Sequence, residues 1–261
     1  MKLSFNSLSR ARSVSVRGGL PCTIANDRDG FLSAFRLIYR AYLRDGLAQP
    51  NSLGLRYLPH QLLDDSSVFI VTRDDRVVGT LTLIENGELG LPIESLYGPE
   101  INRLRRQDGR VAELSCLALE ETETVRCFSV LRGLLRAALE LAKDRQIELL
   151  TVCIHPRNAR FYERRLKFTQ FGQLRYCPWV CDHPAIAMFR RLSTSTVRHD
   201  DISHDVIRLS EVKRQRARHQ IREYFSQWAD EGAPLSSEHW QATSAGIARG
   251  HLASLERLDR A

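Results

Sequence analysis

The chain has 261 residues, of which 43% are hydrophobic and 26% charged, with a formal net charge of +7. This is ordinary globular composition; it excludes a mainly disordered, collagen-like or membrane-spanning polypeptide, and the length suits one large domain with appendages. Much of the basic excess sits at the start, where residues 1–19 hold Lys2, Arg10, Arg12 and Arg17 and no acid, so the nearly neutral body does not read as a nucleic-acid binder.

Residues 1–19 read as a mobile basic tail ending in Gly18-Gly19. A short strand at 21–25 follows. Asp27 then caps a helix running to about Asp45, whose stripe Phe31, Ala34, Phe35, Ile38 and Tyr42 has helical spacing. Arg36, Tyr39 and Arg40 lie off that stripe. A long loop with Gly46, Pro50, Gly54 and Pro59 has the length of a functional lid. Strands at 68–72 and 77–84 flank the turn 73–76 and form a hairpin. Residues 92–107 read as a surface helix and loop. Residues 110–119 form a strand with Val111, Glu113, Ser115, Leu117 and Leu119 on one side. A helix at 123–145 places Phe128, Leu131, Leu135, Ala138 and Ala142 on one face. The unalternating apolar run 148–154 is expected of a central strand. A helix at 158–166 and strands at 168–176 and 184–192 complete the body. Beyond about 193 the character changes. An amphipathic helix at 207–228 has Ile221, Tyr224, Phe225 and Trp228 in register and Arg214, Arg218 and Arg222 opposite, and another helical stretch lies at 236–258. The expected organisation is a basic tail 1–19, an α/β domain 20–192 with a mixed sheet flanked by helices, and a helical extension 193–261 appended to it.

No apolar run approaches the roughly 20 residues of a spanning helix, and the N-terminus has no apolar h-region. The protein is therefore expected to be soluble and cytoplasmic, without integral membrane association. Its six cysteines are then expected to be reduced thiols. Cys177-x-x-x-Cys181-x-His183, with Cys153 and His155 upstream, has the ligand types of a zinc site, but the spacing is loose and small buried hydrophobes are the expected role.

The strand, long helix, strand and then 155–163 (His-Pro-Arg-Asn-Ala-Arg-Phe-Tyr-Glu) resemble the core of the GCN5-related N-acetyltransferase (GNAT) fold. Residues 35–42 (Phe-Arg-Leu-Ile-Tyr-Arg-Ala-Tyr) resemble the first helix of the acyl-homoserine-lactone autoinducer synthases, and 112–118 (Ala-Glu-Leu-Ser-Cys-Leu-Ala) resemble their Glu-x-Ser strand. Together the set is most similar to the long-chain N-acyl amino acid synthases, over about residues 20–192. The resemblance implies a bacterial acyltransferase. Such an enzyme moves a fatty acyl group from the phosphopantetheine thioester of acyl carrier protein to the α-amine of an amino acid. No metal or redox cofactor takes part, and the partners are the carrier and the amino acid. An autoinducer synthase, a CoA-dependent acetyltransferase and a non-catalytic acyl-binding relative are the alternatives.

The chemistry asks for a group that takes the ammonium proton before the nitrogen attacks a thioester. Glu113, inside an apolar strand, is the candidate base, because a buried carboxylate needs a reason; the alternative is a pair with Arg36 or Arg40 that only orders the first helix. Ser115, two residues on, either contacts the substrate or bonds to backbone. Tyr162 is the candidate acid for the leaving thiolate, or a packing residue of its helix. Arg36, Tyr39, Arg40, Cys116 and Leu117 are expected to bind substrate. CoA enzymes of this fold carry a glycine-rich turn before the long helix, whose amides cradle a pyrophosphate. Here 119–126 has no glycine and three glutamates, which favours a carrier-bound donor with a single phosphate. Arg126, Arg132 and Arg136 are the expected contacts to the acidic carrier.

Overall fold

The computed structural model describes residues 22–120, 124–192 and 211–223. An eight-stranded sheet runs β1 (Cys22–Ile24), β2 (Ser66–Arg73), β3 (Arg76–Glu85), β4 (Val111–Leu119), β5 (Leu149–Ile154), β8 (His183–Arg191), β6 (Thr169–Gln170), with β7 (Arg175–Cys177) also paired to β8. Among the described strands only β4 and β5 are parallel to each other, and they pair over three residues, Val111–Glu113 with Leu149–Thr151. Beyond Glu113 the two strands part. The helices are α1 (Arg28–Arg44), α2 (Glu94–Asp108), α3 (Thr124–Asp144) and α4 (Ala159–Leu166).

Local chemistry sets these elements. Asp27 accepts a hydrogen bond from the Gly30 amide at 2.7 Å and caps α1 where expected. The hairpin turn puts Asp74 and Asp75 in the left-handed region, at φ 49° and 57°, which matches the twist of the flanking strands. Lys167 ends α4 at φ 61°, and its amide bonds the Tyr162 carbonyl, a position that glycine usually fills.

Helix α3 covers one face of the sheet through Val130, Leu134, Leu135, Ala138 and Ala142; α1 and α2 cover the other. Phe128 departs from its expected place on the buried face of α3 and is 52% exposed. The segment expected as a surface helix is α2, and it buries Tyr97, Ile101 and Leu104. The strand expected over 168–176 is broken into β6 and β7. At Gly172 a Cβ would lie 2.5 Å from the Tyr97 ring, so the chain turns there against a buried side chain.

The extension also differs from a simple appendage. Residues 211–223 are helical and place Ala217 and Ile221 in the same core cluster as α1. Arg218, expected on the outer surface, is 3% exposed; it bonds Asp64 at 2.9 Å and donates to the Ser66 carbonyl. Tyr224, Phe225 and Trp228 lie outside the described residues. No helix among those described is long and apolar enough to cross a membrane.

Candidate active site

Where β4 and β5 part, a mainly apolar cleft of about 690 Å³ opens, within the roughly 300–1,000 Å³ of small-molecule sites. Its walls come from the C-terminal end of α1, the α1–β2 loop, the segment leading into α2, β4, the end of β5, α4 and the turn before β8. The backbone edge of β4 past Glu113 has no ladder bonds to β5, so its polar groups are left to a ligand.

The strand β4 does not alternate throughout. Its pairing with β3 slips opposite Thr80–Thr82, and Cys116 takes φ 52°. A non-glycine residue there is strained, and such strain gathers at functional sites. Before the bulge, Ala112 and Leu114 pack toward α3; after it, Leu117 and Leu119 do, while Cys116 and Ala118 face α1. The expected single face from Val111 to Leu119 is therefore interrupted, because a one-residue bulge reverses the side-chain phase.

Glu113 lies at the root of the cleft, 2% exposed. Its Oε2 accepts from the Ile93 amide at 2.7 Å, and the Ser115 hydroxyl donates to it. Burial raises its pKa to about 8; the two hydrogen bonds oppose the shift and Glu94 adds to it. Arg36 and Arg40 do not reach it. Both are exposed on α1, and Arg40 faces Glu120 at 3.8 Å, because they lie on the opposite side of the helix from Leu37, Ile38 and Ala41, which pack with Cys116 and Ala118 of β4. Tyr39 is likewise outside the cleft: its hydroxyl accepts from the Asn51 amide at 3.1 Å and pins the loop. Ser115, Cys116, Leu117 and Tyr162 all line the cleft. Tyr162 packs edge-on against Phe161 and Phe168, and burial raises its pKa to about 12.

On α3, Arg132 and Arg136 are exposed away from the cleft, and Arg136 pairs with Glu140 at 2.7 Å. The Arg126 side chain and residues 121–123 lie outside the described residues. The arginines that line the cleft are instead Arg44, Arg56 and Arg157, and the last of these begins an exposed run of cations. Arg157 lines the cleft, and Arg160, Arg164, Arg165 and Lys167 follow it, all exposed and none ion-paired among the described residues. Five cations against one acid over 157–167 was the signal for them.

Three further groups were not singled out from sequence. Arg56 lines the cleft, donates through Nη2 to the Trp179 carbonyl and stands 5.0 Å from the Tyr42 ring centroid. The Trp179 indole N–H donates to Ser95 Oγ at 3.0 Å, so one tryptophan ties the α1–β2 loop to the first turn of α2. His155 and His183 lie with their ring centroids 6.4 Å apart. An arginine between leucine and tyrosine in a glycine- and proline-rich loop could have marked Arg56. Among the described residues, no group of three His, Cys, Asp or Glu side chains is placed to hold a metal. Burial raises the Cys116, Cys153 and Cys177 thiols, which keeps them protonated.

The profile of the N-acyl amino acid synthase FeeM family matches residues 33–191, well over half of the chain. The solved structure of FeeM, an N-acyl amino acid synthase from uncultured soil microbes, is 25% identical. The match covers 65% of this chain and 94% of that one, with a TM-score of 0.56. A CoA-dependent acyl-homoserine lactone synthase, BjaI, is 16% identical over 70% of this chain and 92% of its own, with a TM-score of 0.47. A ribosomal-protein-alanine N-acetyltransferase from Brucella melitensis is 20% identical over 65% and 99%, with a TM-score of 0.44. No curated protein sequence matches the chain. The chain belongs to the FeeM N-acyl amino acid synthase family, has a GNAT-like fold, and is an N-acyltransferase.

Proposed function

We propose that this N-acyl amino acid synthase family member transfers a long fatty acyl group from acyl carrier protein to the α-amine of an amino acid. The observation that carries this reading is the apolar cleft between the parted strands, with Glu113 at its root. An acyl chain laid along Leu81, Leu114, Leu117 and Ile154 gains about 0.8 kcal/mol for each methylene buried. That gradient favours long chains until the cleft ends.

The steps follow from the groups present. Glu113 accepts the proton of the acceptor's ammonium, with Ser115 fixing the carboxylate. The freed nitrogen attacks the thioester carbonyl carbon. The carbonyl oxygen takes up negative charge beside the β4 edge, where backbone amides without β5 partners can donate to it. The C–S bond then breaks, the phosphopantetheine thiolate takes a proton from the Tyr162 hydroxyl, and the nitrogen gives up its second proton, which restores that hydroxyl and leaves the neutral amide. That hydroxyl carries its proton at neutral pH, as a tyrosine does at its ordinary pKa and also at the value of about 12 to which burial raises it. Cys116 and Cys153 stay neutral thiols, which favours direct transfer over an acyl-cysteine.

The exposed cations from Arg157 to Lys167 support an acidic carrier as the donor's bearer. The test offers purified protein equal concentrations of one acyl group on carrier protein and on CoA, with an amino acid acceptor. Faster use of the carrier-bound donor is expected. Equal or faster use of acyl-CoA would place the chain with the CoA-dependent enzymes.

A further inference from the structure

Arg56 is a half-buried cation facing the cleft, and among the described residues no carboxylate lies within ion-pair distance of it. Its hydrogen bond is to the Trp179 carbonyl, and its flat face lies over Tyr42. A guanidinium has five N–H donors in a planar fork, so most of its donors remain for a ligand. Withdrawing such a charge from water without an anion is costly. The other arginines of the lining are differently placed: Arg44 is held by Asp45 at 3.0 Å, and Arg157 is exposed beside α4.

Arg56 and Glu113 act on the same neighbours. Both line the cleft together with Cys116 and Cys177, and each exerts its charge on those two thiols. One group of this pair binds anions and the other accepts protons. An α-amino acid carries the complementary carboxylate and ammonium on one carbon.

We infer that Arg56 anchors the acceptor's α-carboxylate, so that the cleft selects amino acids over simple amines and over esters. The inference rests on the acyltransferase reading above, but its test reads binding rather than turnover. The acylated product keeps the carboxylate, so it should be held by the same fork.

Titration calorimetry would compare N-dodecanoylglycine with its methyl ester on the wild-type chain, Arg56→Gln and Arg56→Lys. The wild type should bind the acid about 10–100-fold more tightly than the ester, the range of a charge-assisted bidentate pair. Arg56→Gln should erase that preference and leave ester binding within about threefold, which also reports an intact cleft. Arg56→Lys should restore part of it, as a point charge without the fork. Equal binding of acid and ester by the wild type, binding of neither, or a preference that survives Arg56→Gln would overturn the inference. Discrimination without any turnover would instead count against the acyltransferase reading alone.

Discussion

Replacing Glu113 with glutamine should alter the pH dependence of stability, apart from any effect on activity. Glutamine keeps the shape and can still accept from the Ile93 amide. The wild-type carboxyl is protonated in the folded protein up to about pH 8, whereas in the unfolded chain it ionises near its ordinary value of 4.5. Between these values the unfolded state releases a proton that the folded state keeps. Raising the pH through this window therefore weakens folding, by about 1.4 kcal/mol for each tenfold fall in proton concentration. Below the window the burden is absent, and above about pH 8 it stops growing. Between about pH 5 and 7.5 the stability gap should move in favour of Glu113→Gln by about 3 kcal/mol. The other titrating groups are common to both proteins and cancel in the difference. Urea unfolding of each protein at several pH values measures it. A gap that stays constant across the window would refute the assignment of Glu113 as a buried carboxyl without a cationic partner.

The same group predicts a pH–rate profile in which kcat/KM rises toward a plateau above about pH 8, where the base is free of its proton; a flat profile from pH 6 to 9 would remove it as the base. Tyr162→Phe should slow turnover by about 10–100-fold, with a smaller loss for activated thioesters whose thiolate needs no proton; equal losses on both donors would assign Tyr162 to packing. Reversing Arg157, Arg160 and Arg164 to glutamate should raise KM for a carrier-bound donor about tenfold at low salt and spare a short soluble thioester. Ile221→Ala should cost about 2–5 kcal/mol of stability, because its side chain is fully buried among α1 residues; a change below about 1 kcal/mol would detach the helix at 211–223 from the core.

The element order was legible because the stripe of α1, its Asp27 cap, the hairpin and the central strand β5 are local patterns. Splayed central strands were expected from the resemblance, but the point where β4 and β5 part, just past Glu113, was not legible, since it depends on how far two distant segments pair. The bulge at Cys116 has no glycine to announce it, so alternation along β4 predicted one uninterrupted face. Glu113, Ser115 and Tyr162 could be singled out from an acid inside an apolar strand and from a resemblance. Arg36 and Arg40 misled because their position on α1 says which side of the helix they occupy and nothing of the strand beneath. Arg56 reaches the cleft through a loop whose path depends on Tyr39, Trp179 and Asn51, which are contacts that no periodicity encodes. Helix α2 read as a surface element because Gly98, Pro99 and its charged residues hide the buried Tyr97, Ile101 and Leu104.

The central claim is that Glu113 serves a transfer of fatty acyl groups to amino acids. Mass spectrometry of lipid extracts from bacterial cells expressing the wild-type chain or Glu113→Gln tests it most directly, since such cells already supply acyl carrier protein and amino acids. The wild-type extract should contain N-acyl amino acids with long chains, and the variant, expressed as folded protein, should lower them by about 100-fold or more. Wild-type extracts free of acylated amino acids, from cells whose purified protein acetylates amines from acetyl-CoA, would contradict the account.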